Sequence, residues 1–85
     1  MTVSWRDSKY LDFSWLGKSA TGRTHRWTVD AKRSGDILGQ VEWYGPWRQY
    51  VFQPDPNTEY NKGCLLDIAD FLDEMNAEQR NRTER

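Results

Sequence analysis

Gly39–Pro54, GQVEWYGPWRQYVFQP, decides the fold. It reads as two extended runs broken at Gly45-Pro46, where proline sets φ and withdraws a ladder donor, so the chain must turn there. Trp43, Tyr44, Trp47, Tyr50 and Phe52 all fall in this hairpin with Arg48 among them, more rigid aromatic area than one face of a small sheet requires. Part of it is therefore expected to form a contact surface. The returning run, Trp47–Gln53, sets Trp47, Gln49, Val51 and Gln53 against Arg48, Tyr50 and Phe52, and alternation alone leaves open which set faces the core.

Upstream, Ile37, Gly39, Val41 and Trp43 share one side of a strand over 37–44, with Leu38, Gln40, Glu42 and Tyr44 on the other. Ser34-Gly35-Asp36 supplies the turn to the preceding strand. There His25, Trp27, Val29 and Ala31 alternate with Arg26, Thr28, Asp30 and Lys32. Gly17–Thr24, GKSATGRT, reads as an exposed loop of small and basic residues. Before it, Tyr10–Leu16 fits a strand with Leu11, Phe13 and Trp15 inward.

Downstream, Pro54–Asn61 bars further pairing and crosses to a helix capped by Asn61 or, earlier, by Thr58. From Lys62 onward Leu65, Ile68, Phe71 or Leu72, and Met75 recur at helical spacing, with Asp67, Asp70, Asp73, Glu74 and Glu78 on the other face. The expected fold is α+β: an antiparallel meander of three or four strands with one C-terminal amphipathic helix packed on one face. The expected core is Trp27, Val29, Ile37, Val41, Leu65, Ile68, Phe71 and Leu72. Residues 1–9 read as a flexible arm with Trp5 its one large apolar group, 10–76 as the single domain, and 77–85 as a frayed polar tail.

Eighty-five residues with one cysteine make one small domain without an internal disulfide. No apolar run approaches a membrane span or a signal peptide, so the expectation is no membrane partner and a cytoplasmic location in a bacterial host cell. Residues 1–53 carry eight basic against five acidic side chains, and residues 54–85 four against eight. The strand half is mildly basic and the helix half acidic. Total charge is only −1, which argues against the acidic helix face acting as a mimic of nucleic-acid phosphate.

Nothing in the chain matches a P-loop, a nucleophile elbow, HExxH or paired-cysteine spacing, and one His with one Cys cannot fill a zinc site. No catalytic activity, cofactor or metal is expected. His25, at the inward side of a strand start, reads as structural, and Cys64, near the helix start, as packing rather than as a reactive thiol.

From Arg26 to Leu72 the chain carries Trp27-x-Val29, a Ser34-Gly35 turn, Leu38-Gly39-x-Val41-x-Trp43-Tyr44, Trp47-Arg48-x-Tyr50-x-Phe52-x-Pro54 and Cys64-Leu65-x-Asp67-Ile68-x-x-Phe71. This pattern resembles short uncharacterised proteins of tailed phages and prophages. The resemblance implies a mobile-element origin and assigns no activity to any residue. With it, the expected function is that of a non-catalytic phage-type accessory protein binding a host macromolecule, a protein foremost, and inhibiting a host defence or replication component. Trp43, Tyr44, Trp47 and Arg48 would make the contact, because Trp and Arg most often anchor such surfaces. A second copy, making a homodimer, is the other expected cover for the open sheet face.

Two alternatives stand beside it. Three strands backed by a helix resemble the layout of sheet readers of DNA such as integrase arm-binding domains, with Arg23, Arg26, Lys32 and Arg33 as candidate nucleic-acid contacts. The last is sequestration of a small nucleotide between Trp and Arg side chains.

Overall fold

A computed structural model describes residues 5–83. Four strands, β1 (Leu11–Lys18), β2 (His25–Ala31), β3 (Ile37–Tyr44) and β4 (Gln49–Pro54), form one antiparallel sheet in sequential order, followed by one helix, α1 (Lys62–Thr83). The α+β meander expected from the alternation is the observed fold, with all four strands paired.

The turns follow local chemistry. Gly35 sits at φ 77 and donates to the Ala31 carbonyl at 2.7 Å, closing the β2–β3 connection. Gly45–Trp47 forms a single 3-10 turn with Pro46 in its first positions, and Arg48 ends it in the left-handed region at φ 53. The β1–β2 loop is closed on itself: Thr24 is buried and donates to Ser19 Oγ at 2.8 Å, and the Ser19 amide donates to the Thr24 carbonyl. Asn61 is the N-cap, its Oδ1 accepting from the Cys64 amide at 2.8 Å.

Register settles the face that alternation leaves open in β4. Val41 pairs with Phe52 and Trp43 with Tyr50, so Tyr50 and Phe52 share the helix side of the sheet with Val41, while Gln49, Val51 and Gln53 point away. The core is Leu11, Val29, Val41, Tyr50, Cys64, Ile68 and Phe71. Phe71 is its hub: its ring stacks on Phe13 at 4.3 Å and meets Trp5 and Trp27 edge-on at 4.8 and 5.1 Å.

Of the other expected core residues, Trp27 and Leu72 pack half-buried against it, while two are exposed. Leu65 is 54% exposed, because the capped register brings Cys64, Ile68, Phe71 and Met75 round to the sheet and turns Leu65 and Leu66 to solvent. An apolar run Cys64-Leu65-Leu66 cannot choose among these by itself. Ile37 is 54% exposed because the β2–β3 register slips between Val29 and Asp30, so Ile37 pairs with Asp30 at the end of the ladder.

Both expected loose ends are packed where they are described. Trp5–Asp7 forms a 3-10 turn held to α1: the Trp5 amide donates to Asp70 at 2.8 Å, and Arg6 makes a bidentate pair with Glu74 at 2.7 and 2.6 Å. Lys32 Nζ donates to the Ser8 carbonyl at 2.7 Å, tying the same segment to the sheet. Residues 1–4 of the expected arm lie outside the described residues. At the other terminus, α1 runs on to Thr83 with Gln79 buried, beyond the boundary expected at residue 76. Residues 84 and 85 of the expected tail lie outside the described residues.

Candidate functional site

The open face of the sheet is polar. Ser14 donates to Asp30 at 2.7 Å, and Arg26 approaches Glu42 at 3.4 Å with Gln40 at 3.5 Å. These side chains reach across adjacent strands, Ser14 and Asp30 diagonally since Ser14 pairs with Thr28 and Asp30 with Asp12, so the surface opposite the helix is a hydrogen-bonded polar layer rather than an aromatic one.

The hairpin aromatics divide between two fates. Trp43 lies against the core and meets Tyr50 edge-on at 5.2 Å. Tyr44 and Trp47 stand at the sheet edge as an edge-to-face pair at 5.1 Å, with Trp47 66% exposed. Arg48 follows directly, exposed. Trp47 forms the wall between two shallow grooves along β4. One, of about 460 Å³, runs between Gln49–Phe52 and Ala69, Leu72, Asp73 and Asn76 of α1; the other, of about 260 Å³, is lined by Tyr44, Val51, Phe52 and Gln53. Asn76 Oδ1 accepts from the Tyr50 amide at 2.7 Å, so part of this edge is satisfied by the helix.

The expected nucleic-acid contacts do not converge. Arg23 belongs to the loop before β2 and Arg33 to the turn after it, at opposite ends of a seven-residue strand. Arg26 is engaged on the polar face with Glu42, and Lys32 with Ser8 and, at 3.9 Å, Asp12.

A second site lies toward the β1–β2 side of the sheet, where residues of β1, β2 and β4 meet the last turns of α1; Tyr50 lines both it and the larger groove along β4. Trp15, His25, Trp27, Tyr50, Met75, Glu78, Gln79 and Arg82 enclose a cleft of about 290 Å³. Its floor is a closed polar chain. Tyr50, 2% exposed, accepts from the His25 amide at 3.0 Å and donates to Gln79 Oε1 at 3.2 Å; Gln79 Nε2 donates to the Arg23 carbonyl at 3.0 Å. Burial pushes the Tyr50 phenol up, which keeps it protonated as the donor this chain requires.

The walls are aromatic. Trp27 meets Tyr50 edge-on at 5.2 Å, His25 tilts against Trp27 at 5.8 Å, and Trp15, 61% exposed, tilts against His25 at 6.2 Å. Trp15 Nε1 donates to His25 Nδ1 at 3.1 Å, and Arg82 Nη1 lies 2.6 Å from His25 Nε2. Burial, then the charges of Arg82 and Lys18, hold His25 below the ordinary imidazole range.

His25 lies on the inward side of β2, as the alternation predicts, and Arg82, expected in a frayed tail, belongs to α1. Fifty-seven residues separate the two. A histidine preceding Trp27 at one-residue spacing was the available local signal; the partner on α1 had none. Among the described residues, no three His, Cys, Asp or Glu side chains are grouped to hold a metal ion, and no helix is long and apolar enough to cross a membrane.

Compared with known proteins, the chain is similar to a small protein of Acholeplasma phage L2, titled "Uncharacterized 9.3 kDa protein", at 28% identity over 78 residues covering 88% of this chain and 95% of that one. The likeness runs through nearly the whole of both and supports a small phage-type protein. No protein-family model matches the chain, and no solved structure matches it.

Proposed function

We propose that this chain is a phage-type accessory protein that acts by binding a host protein through the β4 edge, with Trp47 as the anchor and Tyr44 and Arg48 beside it. The supporting observation is the Tyr44–Trp47 pair itself. A tryptophan 66% exposed would ordinarily be free to change rotamer, yet here it is braced edge-on by Tyr44 and carried on a proline-containing 3-10 turn. A braced aromatic loses little conformational entropy when a partner covers it, which is the property of an interface anchor. Arg48 adds a guanidinium at the same turn, and the grooves on either side of Trp47 offer recesses for partner side chains. Trp43, packed against Tyr50, supports the turn from beneath rather than facing a partner. The action on the host that we propose is inhibition of a defence or replication component, a reading whose support is the likeness to a small phage protein.

The experiment is affinity capture from a bacterial lysate with tagged wild-type chain, Trp47→Ala and Arg48→Gly, with and without nuclease and at low and high salt. Both variants should fold, since Trp47 is exposed and glycine suits the left-handed φ of Arg48. The expected result is a discrete protein that survives nuclease and salt with wild type and is lost with Trp47→Ala. Recovery of nucleic acid that leaves with salt, or a protein retained equally by both variants, would refute the proposal.

A further inference from the structure

The cleft at the Trp15 end is crowded with hydrogen-bond donors. An indole N–H only donates, so the His25 Nδ1 that Trp15 Nε1 approaches at 3.1 Å must present its lone pair. A neutral imidazole then carries its proton on Nε2, and a guanidinium also only donates, so Arg82 Nη1 at 2.6 Å brings a second donor to face that N–H. Reversing the tautomer moves the conflict to Trp15; protonating the ring leaves a donor facing a donor on both sides. Two side-chain donors thus approach an imidazole whose own N–H is a third, and His25 Nε2–H and Arg82 are placed to converge on one acceptor at the mouth of the cleft.

Charge says what kind of acceptor belongs there. Arg82 and Lys18 both act on His25 as positive charges, and Glu78 as a negative one, leaving a local excess of cation at the His25 end. An oxyanion accepting from both His25 Nε2–H and Arg82 would answer the donors and the field together. Shape says what the rest of the ligand is. The recess behind that point is walled by Trp15, Trp27 and Tyr50 and backed by Met75, and its floor is locked by the Tyr50–Gln79–Arg23 carbonyl chain. At about 290 Å³ it lies at the small end of ligand pockets, room for one flat ring system and a short anionic arm. Glu78, on the same lining, is an acceptor that an exocyclic amino group or ring N–H would match, four residues before Arg82 and so one helical turn away on the same face.

We propose that this cleft binds a nucleoside monophosphate, with its base stacked on Trp15, the donor edge of the base toward Glu78, and its phosphate held by Arg82 and His25. Trp47 does not line this cleft, although Tyr50 lines both it and the groove beside Trp47, and the proposal stands or falls separately from the host-protein reading.

The test titrates the full chain with AMP, GMP, CMP and UMP, following tryptophan fluorescence and heat of binding, with adenosine, inorganic phosphate and a short oligonucleotide as comparison probes. Saturable one-to-one binding of at least one monophosphate is expected, with about ten-fold or greater loss in Trp15→Ala, the size of one base–aromatic stack, and a comparable loss in Arg82→Gln. Trp47→Ala should bind as wild type. Trp15 is exposed and Arg82 lies near the helix end, and circular dichroism confirms that the variants are folded before titration. Inorganic phosphate binding as tightly as the nucleotides would overturn the base slot. Tighter binding of the oligonucleotide, no saturable binding of any monophosphate, or binding unaffected by Trp15→Ala and Arg82→Gln in folded protein would overturn the proposal.

Discussion

The two faces of the sheet are built from the same four strands and solve different problems. On the helix side, Phe13, Trp27, Tyr50 and Phe71 interlock as rings, and Trp5 reaches in from the N-terminal segment to join them. On the open side, Ser14 bonds to Asp30, and Arg26 to Glu42 and Gln40. The helix side holds the molecule together, because burying rings removes large apolar areas from water, whereas exposed polar pairs exchange one set of hydrogen bonds for another. Most of the aromatic wealth of the β3–β4 hairpin is thus accounted for by one helix. Tyr44 and Trp47 are what is left over.

The comparison breaks most sharply at Phe71. Phe71→Ala removes the ring that three other aromatics touch and should cost about 3–5 kcal/mol, enough to unfold much of a small domain. Arg26→Ala on the opposite face should cost less than about 1 kcal/mol. Urea denaturation midpoints of the two variants measure the contrast, and comparable losses would mean that the polar layer carries stability it is not credited with here.

A smaller loss is expected from Gly39→Ala. Gly39 faces the helix side opposite Pro54, and a methyl there would sit 2.5 Å from the Gln53 carbonyl and 2.8 Å from the Phe52 ring. The Phe52 ring lies over the space that glycine leaves, and in turn meets Tyr60 edge-on at 5.4 Å. Moving it should cost about 1–3 kcal/mol by overpacking. A thermal midpoint unchanged in Gly39→Ala would show that the sheet edge yields freely.

The smallest effect is in pH dependence and separates the two ends of the helix side. His25 is held below its ordinary value of 6.5, chiefly by burial, so the unfolded chain takes up a proton first as pH falls and the fold loses stability from about pH 6.5 downward, until the folded imidazole also titrates. Glu74 is held below its ordinary value of 4.5, chiefly by the Arg6 pair, so its contribution is present above pH 4.5 and disappears as pH falls through the folded value. Thermal midpoints measured across both windows should show two separate declines, the upper removed by His25→Gln and the lower by Arg6→Ala. An upper decline that survives His25→Gln would assign it elsewhere.

Local pattern carried a great deal. Alternation over 25–32 and 37–44, the Gly35 and Pro46 turns and the Asn61 cap are short-range features whose physical cause lies within a few residues, so the meander and its helix are legible without coordinates. Of the candidate site, the exposed Trp47 and Arg48 at a forced turn were legible for the same reason. His25 was read on the correct face of its strand, while its partnership with Arg82 was not readable at all.

What the chain alone determines is where it must turn, which stretches are extended, and that one helix stripe is apolar, because backbone sterics and periodicity act over neighbouring residues. Tertiary structure decided the rest. Both sides of 47–53 carry large apolar groups, so only the pairing of Val41 with Phe52 and Trp43 with Tyr50 could put Tyr50 beneath the helix. A polar Gln79 becomes a buried residue only because the Tyr50 hydroxyl and the Arg23 carbonyl meet it there, and a single Trp5 becomes part of the core only because Phe71 and Asp70 receive it. These contacts join residues 29 to 66 positions apart; the free energy that orders the two ends of the chain is carried by partners that no local window contains.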